Sequence, residues 1–106
     1  MYVQIKKIKV TEGNAELFVQ RFSKEGIIEK QDGFVDLQVM VKKTRKEEEV
    51  IIMVRWESYD LWKKWETSEE HLAGHRANRG KPKQDYVISS ENAYYDLKVN
   101  KKHSSR

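Results

Sequence analysis

The chain opens on an alternating stretch. From Tyr2 to Val10, Val3 and Ile5 fall on one face and Gln4, Lys6, Ile8 and Val10 on the other, the two-residue period of a β-strand. Thr11-Glu12-Gly13-Asn14 is turn chemistry. The period then lengthens: Ala15, Phe18, Val19 and Phe22 recur at i, i+3, i+4 and i+7, one face of an amphipathic helix that Gly26 ends. Ile27 and Ile28 pack under the loop that follows, and Gln31-Asp32-Gly33 turns the chain into a second strand, Phe34 to Val41. Its alternation sets Val35, Leu37, Val39 and Val41 on one face, with Phe34, Asp36, Gln38 and Met40 on the other. The charged run from Lys42 to Glu49 reads as a solvated hairpin tip. Glu49 to Trp56 is a third strand, and its run Val50-Ile51-Ile52-Met53-Val54 is apolar on both faces, which calls for cover on both faces.

Two short helices in tandem follow. Ser58 and Ser68 are N-cap candidates, with Leu61, Trp62 and Trp65 at helical spacing after the first and Glu69 and Glu70 in the first turn after the second. Arg76 and Arg79 sit in the last turn, Gly80 suits the left-handed position beyond it, and Pro82 blocks continuation. Tyr86 to Val99 is a long last strand, with a bulge or kink predicted at Ser89-Ser90-Glu91-Asn92. The order is β-α-β-β-α-β with the second helix split, an α+β, ferredoxin-like plan whose helices cover one face of an antiparallel sheet. The other face predicts a homodimer in which two sheets pack together as an α+β barrel, with the last strand long enough to cross to the partner. Residues 1–99 are expected to form one domain and residues 100–106 a flexible tail.

Composition narrows the function classes. The 106 residues suit one modest core, and 36% are charged against 38% apolar. No apolar run approaches the roughly 18 residues needed to span a bilayer, and the alternating start is unlike a signal-peptide core. There is no cysteine, which excludes disulfides, thiolate metal sites and cysteine nucleophiles, and fits a cytoplasmic setting. The net charge of +4 is spread among interspersed lysines and glutamates, without the basic stripe and interleaved aromatics of a nucleic-acid binder. No membrane or nucleic-acid partner is expected.

All three tryptophans and two of the three histidines fall between Trp56 and Pro82. His75 stands near the carboxyl end of the second short helix, ten positions after Trp65 and just before the basic set Arg76, Arg79, Lys81 and Lys83. A lone histidine there is an ordinary surface or capping imidazole. Beside an aromatic cleft and a cationic rim it is also what a haem requires: one axial nitrogen, a flat apolar slot, and charges for two propionates. Either Trp62 or Trp65, or both, serves the core; Trp65 is the better pocket candidate, because the break at Ser68 lets it share a cleft with His75. The pair His71 and His75 lies on one helical face at i, i+4 and could bind zinc, but no H-E-x-x-H pattern or third ligand accompanies it, and His103 lies in the tail. No nucleotide-binding glycine loop is present.

Several of these motifs together resemble a known family. W-E-S-x-x-x-W-x-x-W from Trp56, H-L-A-G-H from His71, Asp85-Tyr86 and Tyr94-Tyr95-Asp96 are similar to the antibiotic-biosynthesis-monooxygenase superfamily, and more narrowly to the HmoA-like branch of its Isd-type haem-degrading monooxygenases. The resemblance runs from the first strand to about Val99. It implies that His75 is the axial iron ligand and that Trp65 crowds and ruffles the haem. It also implies that the distal position, an asparagine in the family, is occupied here by Lys6, with Gln4 two residues away on the same face. Arg76 and Arg79 are the companion candidates for cofactor binding. Haem is then both cofactor and substrate; O2 and an external reductant, fed by a separate electron donor, open the porphyrin ring and release iron. Two other readings keep the same pocket: a cofactor-independent monooxygenase acting on a quinol-like or polyketide substrate, and a dimer that binds or senses haem without degrading it.

Overall fold

The computed structural model describes residues 1–78 and 84–104. Its elements are β1 (Tyr2–Thr11), α1 (Ala15–Ser23), a 3₁₀ turn (Ile28–Lys30), β2 (Phe34–Thr44), β3 (Glu47–Trp56), α2 (Tyr59–Glu66), α3 (Glu69–Asn78) and β4 (Val87–Asp96). The strands form one antiparallel sheet in the order β2-β3-β1-β4, the ferredoxin-like arrangement. No helix among the described residues is long and apolar enough to cross a membrane.

The register sorts the sheet into two faces. Gln4, Lys6, Ile8 and Val10 of β1 lie opposite Val54, Ile52, Val50 and Glu48 of β3. That face meets the helices, and Ile8, Val10, Val50, Ile52, Val54 and Trp56 join Ala15, Phe18 and Trp65 in the core. The opposite face carries Ile5, Ile51, Met53 and Met40, with Tyr95 more than half exposed. Across it the Arg55 guanidinium grips the Asp36 carboxylate in two parallel bonds, Nε to Oδ1 at 2.8 Å and Nη2 to Oδ2. Hydrogen bonding to Arg55 holds the Asp36 carboxyl below its ordinary range.

Three local expectations are corrected. Lys42 to Glu49 is not a loop: Lys42, Lys43 and Thr44 pair with Glu49, Glu48 and Glu47, and only Arg45 and Lys46 turn, Lys46 with φ of 68°. Opposite charges facing each other across the ladder make the run good strand material. In β2 the register shifts between Phe34 and Asp36, so Val35 is an extra residue and Phe34 turns onto the face of Leu37 and Val39, its ring edge-on to Trp56 at 5.7 Å. In β4 the irregularity falls at Ile88, between Val87 and Ser89; Ser89 to Asn92 pair regularly, and the strand ends at Asp96 instead of Val99. Residues 97–104 have no regular secondary structure.

Glu48 is the one charged side chain buried among the described residues, at 6% exposure. Its Oε1 accepts from the backbone N–H of Gly13 (2.8 Å) and of Ala15 (3.1 Å), capping α1 from across the sheet, while Asn14 turns its amide to Thr11. The helix dipole adds to the attraction. Glu48→Ala leaves two amides unsatisfied at a buried helix start and is expected to cost about 2 kcal/mol in a urea melt. Glu48→Gln, which keeps an acceptor, is expected to cost well under half of that.

Candidate functional site

The site residues sit on β1 and on the α2–α3 pair. Ser58 caps α2, its Oγ accepting from Leu61 N–H at 3.2 Å. Ser68 ties the two helices together: its hydroxyl donates to Trp65 O (2.6 Å) and accepts from His71 N–H (3.2 Å). One serine therefore ends the turn that carries Trp65 and starts the turn that carries His71.

A ladder of rings follows from this junction. Trp65 is a core residue, 8% exposed. Its indole meets the His71 ring edge-on with centroids 4.9 Å apart, and His71 meets His75 at 4.5 Å. His71 Nε2 lies 2.9 Å from His75 Nε2 and 3.4 Å from Glu66 Oε2. His71 is half-buried and His75 exposed, so the ladder runs from the core to the surface. Beside it, a Cβ built on Gly74 would meet nothing within 4 Å. Trp65 thus borders the site through His71 while serving the core.

On the sheet, Gln4 and Lys6 face the helix layer as the alternation predicts, half-buried, with Tyr94 and Asn92 of β4 as their neighbours across the ladder. No carboxylate pairs with Lys6 among the described residues. Arg76 is exposed and bound to Glu69 through Nη2 and Oε1. Arg79, with Gly80, Lys81, Pro82 and Lys83, lies outside the described residues.

Trp62 takes a different part from Trp65. It joins Tyr2, Tyr59 and Tyr94 in a four-ring cluster, with centroids 5.1, 5.6 and 5.2 Å from its own. Its Nε1–H, like that of Trp56, is buried with no acceptor among the described residues. The cluster joins α2 to β1 and β4; the helical spacing of Trp62 could not reveal it, because Tyr94 arrives from the far end of the chain. Of the pairings weighed in the sequence, His71 with His75 is the one the structure brings into contact. They hydrogen-bond to each other, and no group of three or more potential metal-ligating side chains occurs among the described residues.

Comparison with known proteins fits this arrangement. Residues 1–77 match the family described as antibiotic biosynthesis monooxygenase. The chain is 53% identical over 100 residues to the heme-degrading monooxygenase HmoA of Bacillus subtilis (strain 168), covering 93% of both chains. Its fold superposes on a solved Bacillus cereus structure assigned to the antibiotic biosynthesis monooxygenases with a TM-score of 0.84 and 47% identity, covering 99% of this chain and 98% of that one. The fold is also that of the heme-degrader MhuD of Mycobacterium tuberculosis, solved with two hemes in its active site, at a TM-score of 0.69, 18% identity and coverage of 96% and 100%. The four-stranded sheet, the split second helix and the matched sequence place the chain in the antibiotic biosynthesis monooxygenase family.

Proposed function

We propose that the protein is a haem-degrading monooxygenase that holds haem through His75 and, with O2 and an external reductant, opens the porphyrin ring and releases iron. The observation that carries the reading is the Trp65–His71–His75 ladder, a row of rings that is rooted in the core and ends on an exposed imidazole. The identity to HmoA supports the same activity.

The donor set fits the substrate. An exposed imidazole whose one ring contact is another neutral side chain, with no group of three or more potential metal ligands among the described residues, suits an iron that already has four porphyrin nitrogens. The open space at Gly74 leaves room for a flat ring beside the helix. Bound haem supplies the iron that activates O2 and the carbon skeleton that is consumed. The chain supplies the rest. His75 donates its ring lone pair and sets the orientation. Trp65, rooted in the core behind His71, would resist displacement by a planar ligand bound alongside, so that distortion would fall on the ligand. Lys6, with no carboxylate partner among the described residues, offers an ammonium from the sheet, able to donate a charge-assisted hydrogen bond to a ligand oxygen, and Gln4 adds a neutral amide on the same face. Arg76 can take a propionate only by giving up Glu69.

The uncovered sheet face, with Ile5, Ile51, Met53 and Met40, supports a homodimer packed face to face. Sedimentation at about twice the 12.6 kDa chain mass is the expected result, and a single-chain mass at micromolar concentration counts against it. A cytoplasmic location, where reductants are plentiful, suits the absence of cysteine.

The test of function is a hemin titration followed, in air with catalase present, by ascorbate. A saturable Soret band that bleaches as iron is released supports the proposal. A saturable band that persists points to a haem carrier, and no saturable binding points to a cofactor-independent oxygenase.

A further inference from the structure

We propose that Asn92 works with Lys6 as an anion-binding pair in the haem cleft, the amide of one and the ammonium of the other converging on a single small anion carried by the iron. The inference rests on the reading that haem binds over this face of the sheet through His75.

Lys6 and Asn92 are direct partners in the ladder between β1 and β4. Side chains so placed stand on the same face, with Cβ atoms about 4.5–5.5 Å apart. That face is the one that meets the helices. Ile8, two residues after Lys6, is in the core, and Tyr94, two residues after Asn92, packs on Trp62 of α2. The helices leave the β4 half of the face open. Ser90, Asn92 and Tyr94 are all exposed although they stand on the helix side, whereas Val50, Ile52 and Val54 of β3 are buried. Lys6 is half-buried at the border between the two halves. Midway along the open strip, therefore, a cation and an amide stand side by side.

Their donors are not used within the chain. Among the described residues, neither side chain makes a hydrogen bond or an ion pair. Tyr94, the next residue on the strip, is engaged by the rings of Tyr2 and Trp62. The carboxylates of β4 stand elsewhere: Glu91 is on the opposite face, and Asp96 is four residues on, about 13 Å along the strand. An ammonium donates three hydrogens and accepts none, and an amide donates two. With no carboxylate to take them, these donors are free for an anion from outside the chain, and hydrogen bonds to an ionised partner are the strong ones. Lys6 supplies the charge. Asn92, on a shorter stem, supplies direction. A neutral ligand in the same place gains little from either.

The first arm of the test uses no haem. The side-chain amide signals of Asn92 in the ¹⁵N-labelled, ligand-free protein are expected to move in Lys6→Met and to stay in place in Lys9→Met, which removes the same charge from the opposite face. An Asn92 amide unmoved by Lys6→Met overturns the pairing. The second arm titrates the ferric hemin complex with azide and follows the Soret band. Asn92→Val is expected to weaken azide binding by about tenfold, the scale of one hydrogen bond to a charged group. Lys6→Met is expected to do at least as much, and the double variant to fall short of the product of the two losses, because both donors serve one anion. Asn92→Asp, whose carboxylate draws Lys6 away and repels the anion, is expected to bind azide more weakly than Asn92→Val. Carbon monoxide on the ferrous complex, a neutral ligand, is expected to bind wild type and variants alike. Azide affinity unchanged in Asn92→Val, with hemin bound as in the wild type, overturns the proposal. So does a loss of hemin affinity at unchanged azide affinity, which assigns the pair to a haem propionate. Both of those outcomes leave the proposed function standing; failure of the wild type to bind hemin overturns that function and this inference with it.

Discussion

His75→Ala is expected to abolish the saturable Soret complex and to lower haem turnover by about 100-fold or more, the largest functional effect expected of any single substitution in the chain. The magnitude follows from its place in the site. Groups one shell out from a metal ligand already alter affinity or activity by about 10–100-fold, and His75 is proposed as the ligand itself. The variant is also a clean one. His75 is exposed and contributes no core packing, so its removal is expected to change stability by no more than about 0.5 kcal/mol. A melting curve superposable on wild type, with the Soret band lost and partly recovered by added imidazole, is the expected set of results. An unchanged spectrum with retained turnover removes His75 from the role.

The largest stability effect is expected at Gly33, at the turn into β2. Its φ is +86°, where an L side chain is strained. A Cβ built there would lie 2.5 Å from Leu61 Cδ1 and 2.6 Å from Leu61 Cβ. Gly33 also accepts from Glu57 N–H at 2.8 Å, so the turn cannot move aside without releasing the end of β3. Backbone strain and overpacking together put Gly33→Ala at about 3 kcal/mol, a large share of the stability of a small domain. In a domain of this size that is a melting point lower by about 12–24 °C. Gly13 is the internal control: its φ is +88° but its Cβ would meet nothing within 4 Å. Gly13→Ala should cost only the backbone part, about 1 kcal/mol. Equal losses at the two glycines would show that the Leu61 contact contributes nothing. Because Leu61 shares α2 with Trp65, Gly33→Ala should also weaken haem binding, where Gly13→Ala should not.

The sequence disclosed most of the fold because most of it is set by local periodicity. The alternation of β1, the i, i+3, i+4 spacing of α1, and the serines that cap α2 and α3 each act within a turn or two of chain. What stayed hidden depends on partners far away in sequence. Val35 becomes an extra residue only when β2 is laid against β3, and Phe34 changes face as a result. Glu48 sits in a run of charges that looks solvated; only the pairing of β1 with β3 brings it under the start of α1. The site divides in the same way. Strand parity placed Gln4 and Lys6 on the sheet face that meets the helices, and helical spacing put His71 and His75 on one side of α3. That Trp65 is a core member touching His71, and that the two imidazoles share a hydrogen, required the angle between α2 and α3, which no spacing rule contains.

The two extra residues, Val35 and Ile88, lie on β2 and β4, the outermost strands of the sheet. Each strand therefore has a break in its outward row of amides and carbonyls, with the local twist increased there. A third chain trying to extend the sheet would find its hydrogen-bond template interrupted at both rims, and at one of them flanked by Lys42 and Lys43. The protein can thus carry long, β-branched strands without inviting edge-on growth into fibres, and repairing either break by deleting its extra residue should raise its tendency to aggregate.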